Sequence, residues 1–372
     1  MNGILLINKP QDYTSHDVVN IVRKFAREQT DDKKIKVGHA GTLDPLATGV
    51  LPICIGRTTK FVDFISGLSK QYKATFKLGI TTDTQDITGN IVVETPVIPG
   101  LTRNLIEECI TSFIGPQTQI PPMYSAIKKD GKKLYELARQ GKDIERTPRE
   151  ITINNIEILN INLPEIEILV SCSKGTYIRT LCHDIGQKLG CGATLTKLTR
   201  TKVGFFDISE CHPLPDSGCQ LSDMLVPIST VIGTFDGVHL GHQKLLELAQ
   251  NPNFKVCALV IEPDDSAGCE LTTEEEKKQY LHHHGADIVI PVPLKSIKTL
   301  SPEEFFDEYI IKRLNTKILS VGFNFHFGRN KSGDINLLQK LCEKNNIELR
   351  VLDPVLVDGE IISSTGLKKR NT

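Results

Sequence analysis

The stretch from 211 to 227, CHPLPDSGCQLSDMLVP, carries three prolines and an Asp-Ser-Gly turn, and it separates two halves that follow different patterns. Proline disrupts helices and strand ladders alike, so this stretch reads as a boundary. A chain of 372 residues also exceeds one ordinary core, and two domains are expected. The expected division is a first domain over 1–210, a linker over 211–228 and a second domain over 229–372.

Before the boundary, strand and helix signals alternate irregularly. Ser15 is placed to cap a helix running through Arg27, with Val18, Val22 and Phe25 on one stripe. From Gln71 to Leu78 the residues alternate, with Tyr72, Ala74, Phe76 and Leu78 on one face and lysines and threonine on the other. Further strands are expected at 151–160 and 166–172, and a helix at 176–189 with Tyr177, Leu181, Ile185 and Leu189 inward. Together these predict an α+β domain built on a mixed, mostly antiparallel sheet.

After the boundary the alternation is regular. Strands are expected at 229–234, 255–261, 287–292, 318–322 and 348–352. Helices between them start near His242, at Thr273 with Glu276 three residues on, at Ser301-Pro302-Glu303-Glu304, and at 335. The second and third of these starts are capping boxes, and Pro302 occupies the first helical position. His282 to His284 suit a helix end, where cationic histidine complements the dipole. Repeated β/α units predict a parallel, Rossmann-like sheet.

Composition narrows the setting. No apolar run approaches the ~20 residues of a membrane span, and the start MNGILLINKP has neither a basic leader nor an apolar signal core. A cytoplasmic protein is expected. Ten cysteines are scattered without a CxxC pair, so neither a zinc site nor a disulfide framework is indicated. Residues 1–210 hold 27 Lys and Arg against 23 Asp and Glu, while 211–372 hold 17 against 22. The small positive excess fits a first half that faces RNA. Lys128, Lys129, Lys132 and Lys133 beside Tyr124 and Tyr135 combine the cations and aromatics that RNA contacts use, and a solvated lysine face would look much the same.

The segment Gly38 to Pro52, GHAGTLDPLATGVLP, presents one acid in an unusual place. Pro45 disfavours α conformation at Asp44, and glycines at 38, 41 and 49 permit close backbone approach. Such an acid is either a nucleophile or base, or a turn residue capping its own backbone. The longer run GHAGTLDPLATGVLPICIG resembles the signature of TruB-type tRNA pseudouridine synthases. NGILLINKPQDYTSHDVV, QYKATFKLG, TDTQDITG and CSKGTYIRTL follow in family order over roughly the first 205 residues. The resemblance implies that uridine at position 55, in the T arm of tRNA, becomes pseudouridine without any cofactor. It assigns the chemistry to Asp44, leaving open whether the carboxylate attacks C1′ or removes a ribose proton. It further implies that Tyr72 stacks on the flipped base and assists the last proton removal. By the same resemblance Tyr177 and Leu198 contact the nucleotide, His39 touches neighbouring RNA, Arg179 pairs with Asp44, and Lys9-Pro10 supports the Asp44 loop. The small RNA-binding domain that usually follows in bacterial relatives gives way to the second half.

In that second half, VIGTFDGVHLGHQKLL puts His239 and His242 three apart at a helix N-terminus, where free N–H groups and the dipole favour phosphate. A zinc reading lacks further ligands at sensible spacing, so no metal site is assigned. With VGFNFHFGRNKSGD and DGEIISSTGLKKR, the motif resembles the adenylyltransferase module of bacterial FAD synthetases. That resemblance implies ATP, FMN and Mg²⁺ as reactants. It points to Phe235, Asp236, Gly237, His239 and His242 around the nucleotide, and to Arg329, Ser364 and Thr365 at phosphates or flavin. Three departures stand against it: IEPDDS lacks the family histidine, Gly366 and Lys368 stand where arginines are usual, and no riboflavin kinase domain is present. Two alternatives stay open: a degenerate nucleotide- or RNA-binding module, and a protein acting mainly as an RNA-folding chaperone.

Overall fold

The computed structural model describes residues 1–96, 100–125, 127–129, 131–138, 140–141, 144–263, 271–357 and 360–362. The first half is built on β1 (Gly3–Lys9), α1 (Ser15–Thr30), β2 (Thr48–Ile55), β3 (Lys70–Leu78), β4 (Gly115–Gln119), β5 (Arg149–Asn162), β6 (Glu165–Cys172), α2 (Ile178–Lys188) and β7 (Ala193–Val203). These strands form one sheet in the order β1–β2–β7–β3–β6–β5–β4, with the short strands Val37–His39 and Phe206–Asp207 added beside β2 and β7. Every pairing is antiparallel except β2 with β7. The alternation in β3 buries Tyr72, Ala74, Phe76 and Leu78, which α2 covers from one side.

One helix start departs from expectation. The cap of α1 is Thr14, whose hydroxyl accepts from the Asp17 amide while the Asp17 carboxylate accepts from the Thr14 amide. Ser15 is the first helical residue, and its hydroxyl turns inward to Leu43 instead. Both residue types cap well, and tertiary demand decides between them.

The second half contains β8 (Ile228–Gly233), α3 (Leu240–Ala249), β9 (Lys255–Glu262), α4 (Glu274–His283), β10 (Ile288–Pro293), β11 (Thr316–Gly322), α5 (Ile335–Lys344) and β12 (Glu348–Leu352). Its sheet runs β10–β9–β8–β11–β12 and is parallel throughout. Capping boxes at Thr273/Glu276 and Ser301/Glu304 open α4 and the helical turn Pro302–Phe305, which continues as the π-helical Phe306–Arg313. From β8 the chain builds outward to β10 and then returns to place β11 beside β8. In open α/β sheets, the crevice beyond the strand ends at such a reversal is where ligands bind.

The connecting stretch follows β1, the edge strand of the first sheet. Amides and carbonyls of Asn8, His212, Leu6, Val226 and Ile4 pair across it, while Leu221 and Met224 enter the first core. An otherwise open sheet edge is thereby covered. The halves also share apolar contacts, since Phe61, Phe64 and Phe205 pack against clusters of both. Glu308 of the π-helix pairs with Arg57, Lys60 and Arg313, and the Thr58 hydroxyl donates to the Arg313 carbonyl at 2.9 Å.

Candidate active site and nucleotide cleft

The loop that carries Asp44 lies between Val37–His39 and β2, and neighbours hold it from several sides. Ser15 Oγ receives the Leu43 amide at 2.8 Å and donates to the Leu43 carbonyl at 3.0 Å. The fully buried Lys9 donates to the carbonyls of Pro10, Tyr13 and Pro45. Burial pulls the Lys9 ammonium down to about 8, against the opposing pull of Asp44. Where β2 begins, Gly49 has φ +101°, and a Cβ there would lie 2.2 Å from the Arg200 carbonyl oxygen, so no side chain fits. Ser15→Ala leaves the buried Leu43 amide without its acceptor and is expected to cost about 1–3 kcal/mol in urea melts.

Asp44 meets Arg179, near the start of α2, at 2.9 Å between Oδ2 and Nε. The N–H is off-line for a hydrogen bond, so this is a charge contact rather than a directed bond. Asp44 keeps 38% of its side chain exposed, while Arg179 keeps only 4%. The guanidinium donates to the carbonyls of Thr84 and Tyr124, both at 2.8 Å, and lies 3.5 Å from Asp86 Oδ2. Asp86 is itself fixed by the Thr84 and Thr88 hydroxyls and the Thr88 amide. A half-exposed acid thus rests on a buried cation that a second, buried acid steadies from behind.

Two tyrosines lie within electrostatic reach of this group. Tyr72 is 8% exposed, with its phenol pushed up by burial and the nearby Arg200 charge opposing that rise. Tyr177 caps α2, its backbone clasped by the Gln119 amide side chain and its phenol likewise raised by burial. The Asp44 charge reaches both phenols. Leu198 is nearly buried on β7 beside Ala74 of β3. His39 ends the strand before the loop, and its Nδ1 is buried with no hydrogen-bond partner among the described residues. Burial, then Arg200 and His16, lower its pKa. The side chains of Lys128, Lys129, Lys132, Lys133 and Tyr135 lie outside the described residues.

Three positions that frame this site were not singled out from sequence: Ser15 as an anchor, Asp86 and Arg200. Arg200 had a signal, because a charged residue follows Leu198 at an inward position of the alternating run ATLTKLTRTKV.

In the second half, a cleft of about 680 Å³ opens beyond β8 and β11, at the reversal of strand order. His239 caps α3, and its ring stacks on His242 with centroids 3.8 Å apart. Burial lowers both imidazoles, His242 to about 3, and neither Nδ1 has a hydrogen-bond partner among the described residues. Lys298, Asn324, His326 and Lys331 supply polar walls, while Phe323 and Phe325 supply apolar ones. Phe235, Asp236 and Gly237 do not line this cleft. Phe235 is fully buried, Asp236 Oδ1 accepts from the Leu271 amide at 2.7 Å, and Gly237 takes φ +76°. They form the turn beneath it. Arg329 is exposed and outside the lining, with Lys331 nearer. Ser364, Thr365, Gly366, Lys368 and the Asp-Asp-Ser of IEPDDS lie outside the described residues.

His242 predicts an acid response. Below about pH 6.5 the unfolded chain takes up a proton that the folded state refuses until about pH 3, so stability falls as pH drops across that window. His242→Asn is expected to flatten that part of the profile in melts taken between pH 7 and 4.

Comparison with known proteins bears on both sites. The family model for the N-terminal domain of TruB family pseudouridylate synthases matches residues 27–178, and that for the tRNA pseudouridylate synthase B C-terminal domain matches 179–230. The FAD synthetase model matches residues 224–366. The tRNA pseudouridine synthase B of Clostridium tetani is 48% identical over 241 residues, covering 64% of this chain and 81% of that protein. Its counterpart in Clostridium acetobutylicum is 49% identical over 239 residues, covering 64% and 80%. Among solved structures, a Cbf5–Nop10–Gar1 complex aligns with TM-score 0.44 at 29% identity, over 57% of this chain and 52% of that one.

The first 230 residues thus fall among the pseudouridylate synthases. The chain belongs to the TruB family, with an FAD synthetase-type unit as its second half. The match at 179–230 refines one expectation: part of the family's C-terminal region is present as α2, β7 and the connecting stretch, and the second half takes over beyond it.

Proposed function

We propose that the first half converts uridine to pseudouridine at position 55 in the T arm of tRNA, with Asp44 as the catalytic carboxylate. The observation that carries this reading is the half-exposed Asp44 resting on buried Arg179, with its charge reaching the phenols of Tyr72 and Tyr177. The reaction breaks N1–C1′ and forms C5–C1′; N1 gains a proton and C5 loses one, so nothing is oxidised and no cofactor is called for. The uridine must leave its stack, at a cost of a few kcal/mol, and an apolar slot with an aromatic face compensates. Tyr72 would stack on it, Leu198 and Tyr177 would bound the nucleotide, and His39 would meet flanking RNA. Attack at C1′ and removal of a ribose proton both use the same carboxylate. Chemical mapping of pseudouridine in tRNA, after incubation with the wild type and with Asp44→Asn, tests this assignment. A tRNA substrate would put this work in the cytoplasm.

For the second half we propose an ATP-binding site that transfers an adenylyl group to FMN, giving FAD and pyrophosphate. The stacked His239 and His242 at the mouth of α3 would steady charge developing on the α-phosphate. Lys298 and Lys331 would meet the remaining phosphates, and Mg²⁺ would offset their charge. The sequence departures at IEPDDS, Gly366 and Lys368 favour a second reading, a nucleotide- or RNA-binding module without transfer. Incubating the full chain with ATP, FMN and Mg²⁺ separates them: FAD formation supports catalysis, and ATP binding without FAD supports the module.

A further inference from the structure

We infer that Arg200 is a positioning residue for the isomerisation, the strut that fixes the Asp44 loop at a set distance from Tyr72. This rests on the reading of Asp44 as the catalytic carboxylate.

Arg200 sits on β7, the strand lying between β2 and β3. Its backbone is in register with Gly49 on one side and with Tyr72 on the other. It is 1% exposed, among the largest fully buried side chains in the chain. The Nε donates to the Val50 carbonyl at 2.8 Å, Nη2 to Gly41 at 3.0 Å and Nη1 to Thr42 at 3.4 Å. Those carbonyls stand on both sides of Asp44, two before it and one after. On the other side Arg200 is paired with Tyr72 across β7 and β3, and its charge reaches the Tyr72 phenol. One guanidinium therefore grips both ends of the loop, from the strand position that faces Tyr72.

All of these partners are neutral oxygens. Burying a cation against dipoles alone is costly, so a structural role would be served more cheaply by an apolar side chain. What an apolar residue lacks is a rigid fork of donors that reaches several acceptors in fixed directions. Lysine keeps the charge but offers a single nitrogen, so it can hold one end of the loop and not both. Gly49 completes the arrangement by letting β2 approach β7 closely.

The test is Arg200→Lys in the full-length protein, read as single-turnover pseudouridine formation at saturating enzyme, with tRNA affinity and melting temperature measured in parallel. Arg200→Gln, which keeps two donors without charge, is the second variant. A misplacement of about 1 Å lowers the rate about 100-fold, and that fall is expected for Arg200→Lys, with affinity within about twofold and the fold retained. Arg200→Gln is expected to fall at least as far. A wild-type rate in Arg200→Lys overturns the inference, as does a rate that falls only in step with affinity. Loss of folding in both variants also overturns it, by making Arg200 a determinant of the fold. A wild type that forms no pseudouridine overturns the reading of Asp44 instead, which keeps the two failures apart.

Discussion

Asp44→Asn is expected to lower pseudouridine formation by on the order of 10²–10⁴-fold while tRNA affinity holds within about twofold. The substitution is nearly isosteric, and the loop does not depend on the carboxylate for its shape. Ser15 binds the Leu43 backbone, Lys9 the Pro45 carbonyl, and the Asp44 carbonyl closes its own turn onto the Ala47 amide. What the amide cannot do is attack a sugar carbon or accept a proton. Arg179 keeps Asp86 and two backbone carbonyls, and Asp44 is partly solvated, so the lost charge contact costs stability only ~1 kcal/mol or less. Filter binding and pseudouridine mapping on the same preparation check both halves of the prediction. A variant that still modifies tRNA at a tenth of the wild-type rate would move the chemistry to another residue.

Arg179→Ala is expected to lose activity and, in addition, about 3–5 kcal/mol of stability, because removing one member of a buried charge pair strands the other. Asp86 is 5% exposed, and its remaining partners are hydroxyls and an amide. The carbonyls of Thr84 and Tyr124 lose their donors in the same step. Asp44 loses the cation beneath it and with that its fixed orientation. Urea melts measure the first effect and single-turnover kinetics the second. An unchanged melting transition would mean that Arg179 is not holding the two acids together.

The contrast between these two positions shows what a sequence reveals. Signals confined to a few neighbouring residues translated directly: the alternation of β3, the capping boxes at Thr273 and Ser301, and the β/α rhythm that yields a parallel sheet. Asp44 stood out because its flanking proline disfavours an ordinary helix-surface role, which left a chemical role and a turn cap as the alternatives. Where two residues compete for one local role, as Thr14 and Ser15 do at the start of α1, the winner depends on Leu43, 28 positions away. Arg200 and Asp86 belong to the same class, since their partners come together only when β7, β2 and β3 align or when residues 84–88 fold back onto α2. In the second half the motif beginning at Val231 identified the cleft, and its strand end and helix start reach it through Gly233, Thr234, His239, Gly241 and His242, whereas the turn between them does not. Phe235, Asp236 and Gly237 are consumed in making the turn that presents them.

The most direct measurement is tritium release from tRNA labelled at C5 of its uridines, using one transcript with uridine at position 55 and another with cytidine there. The account predicts one equivalent of tritium per molecule from the first transcript and none above background from the second, with Asp44→Asn silent on both. Equal release from the two transcripts, or release that survives in the variant, would contradict it.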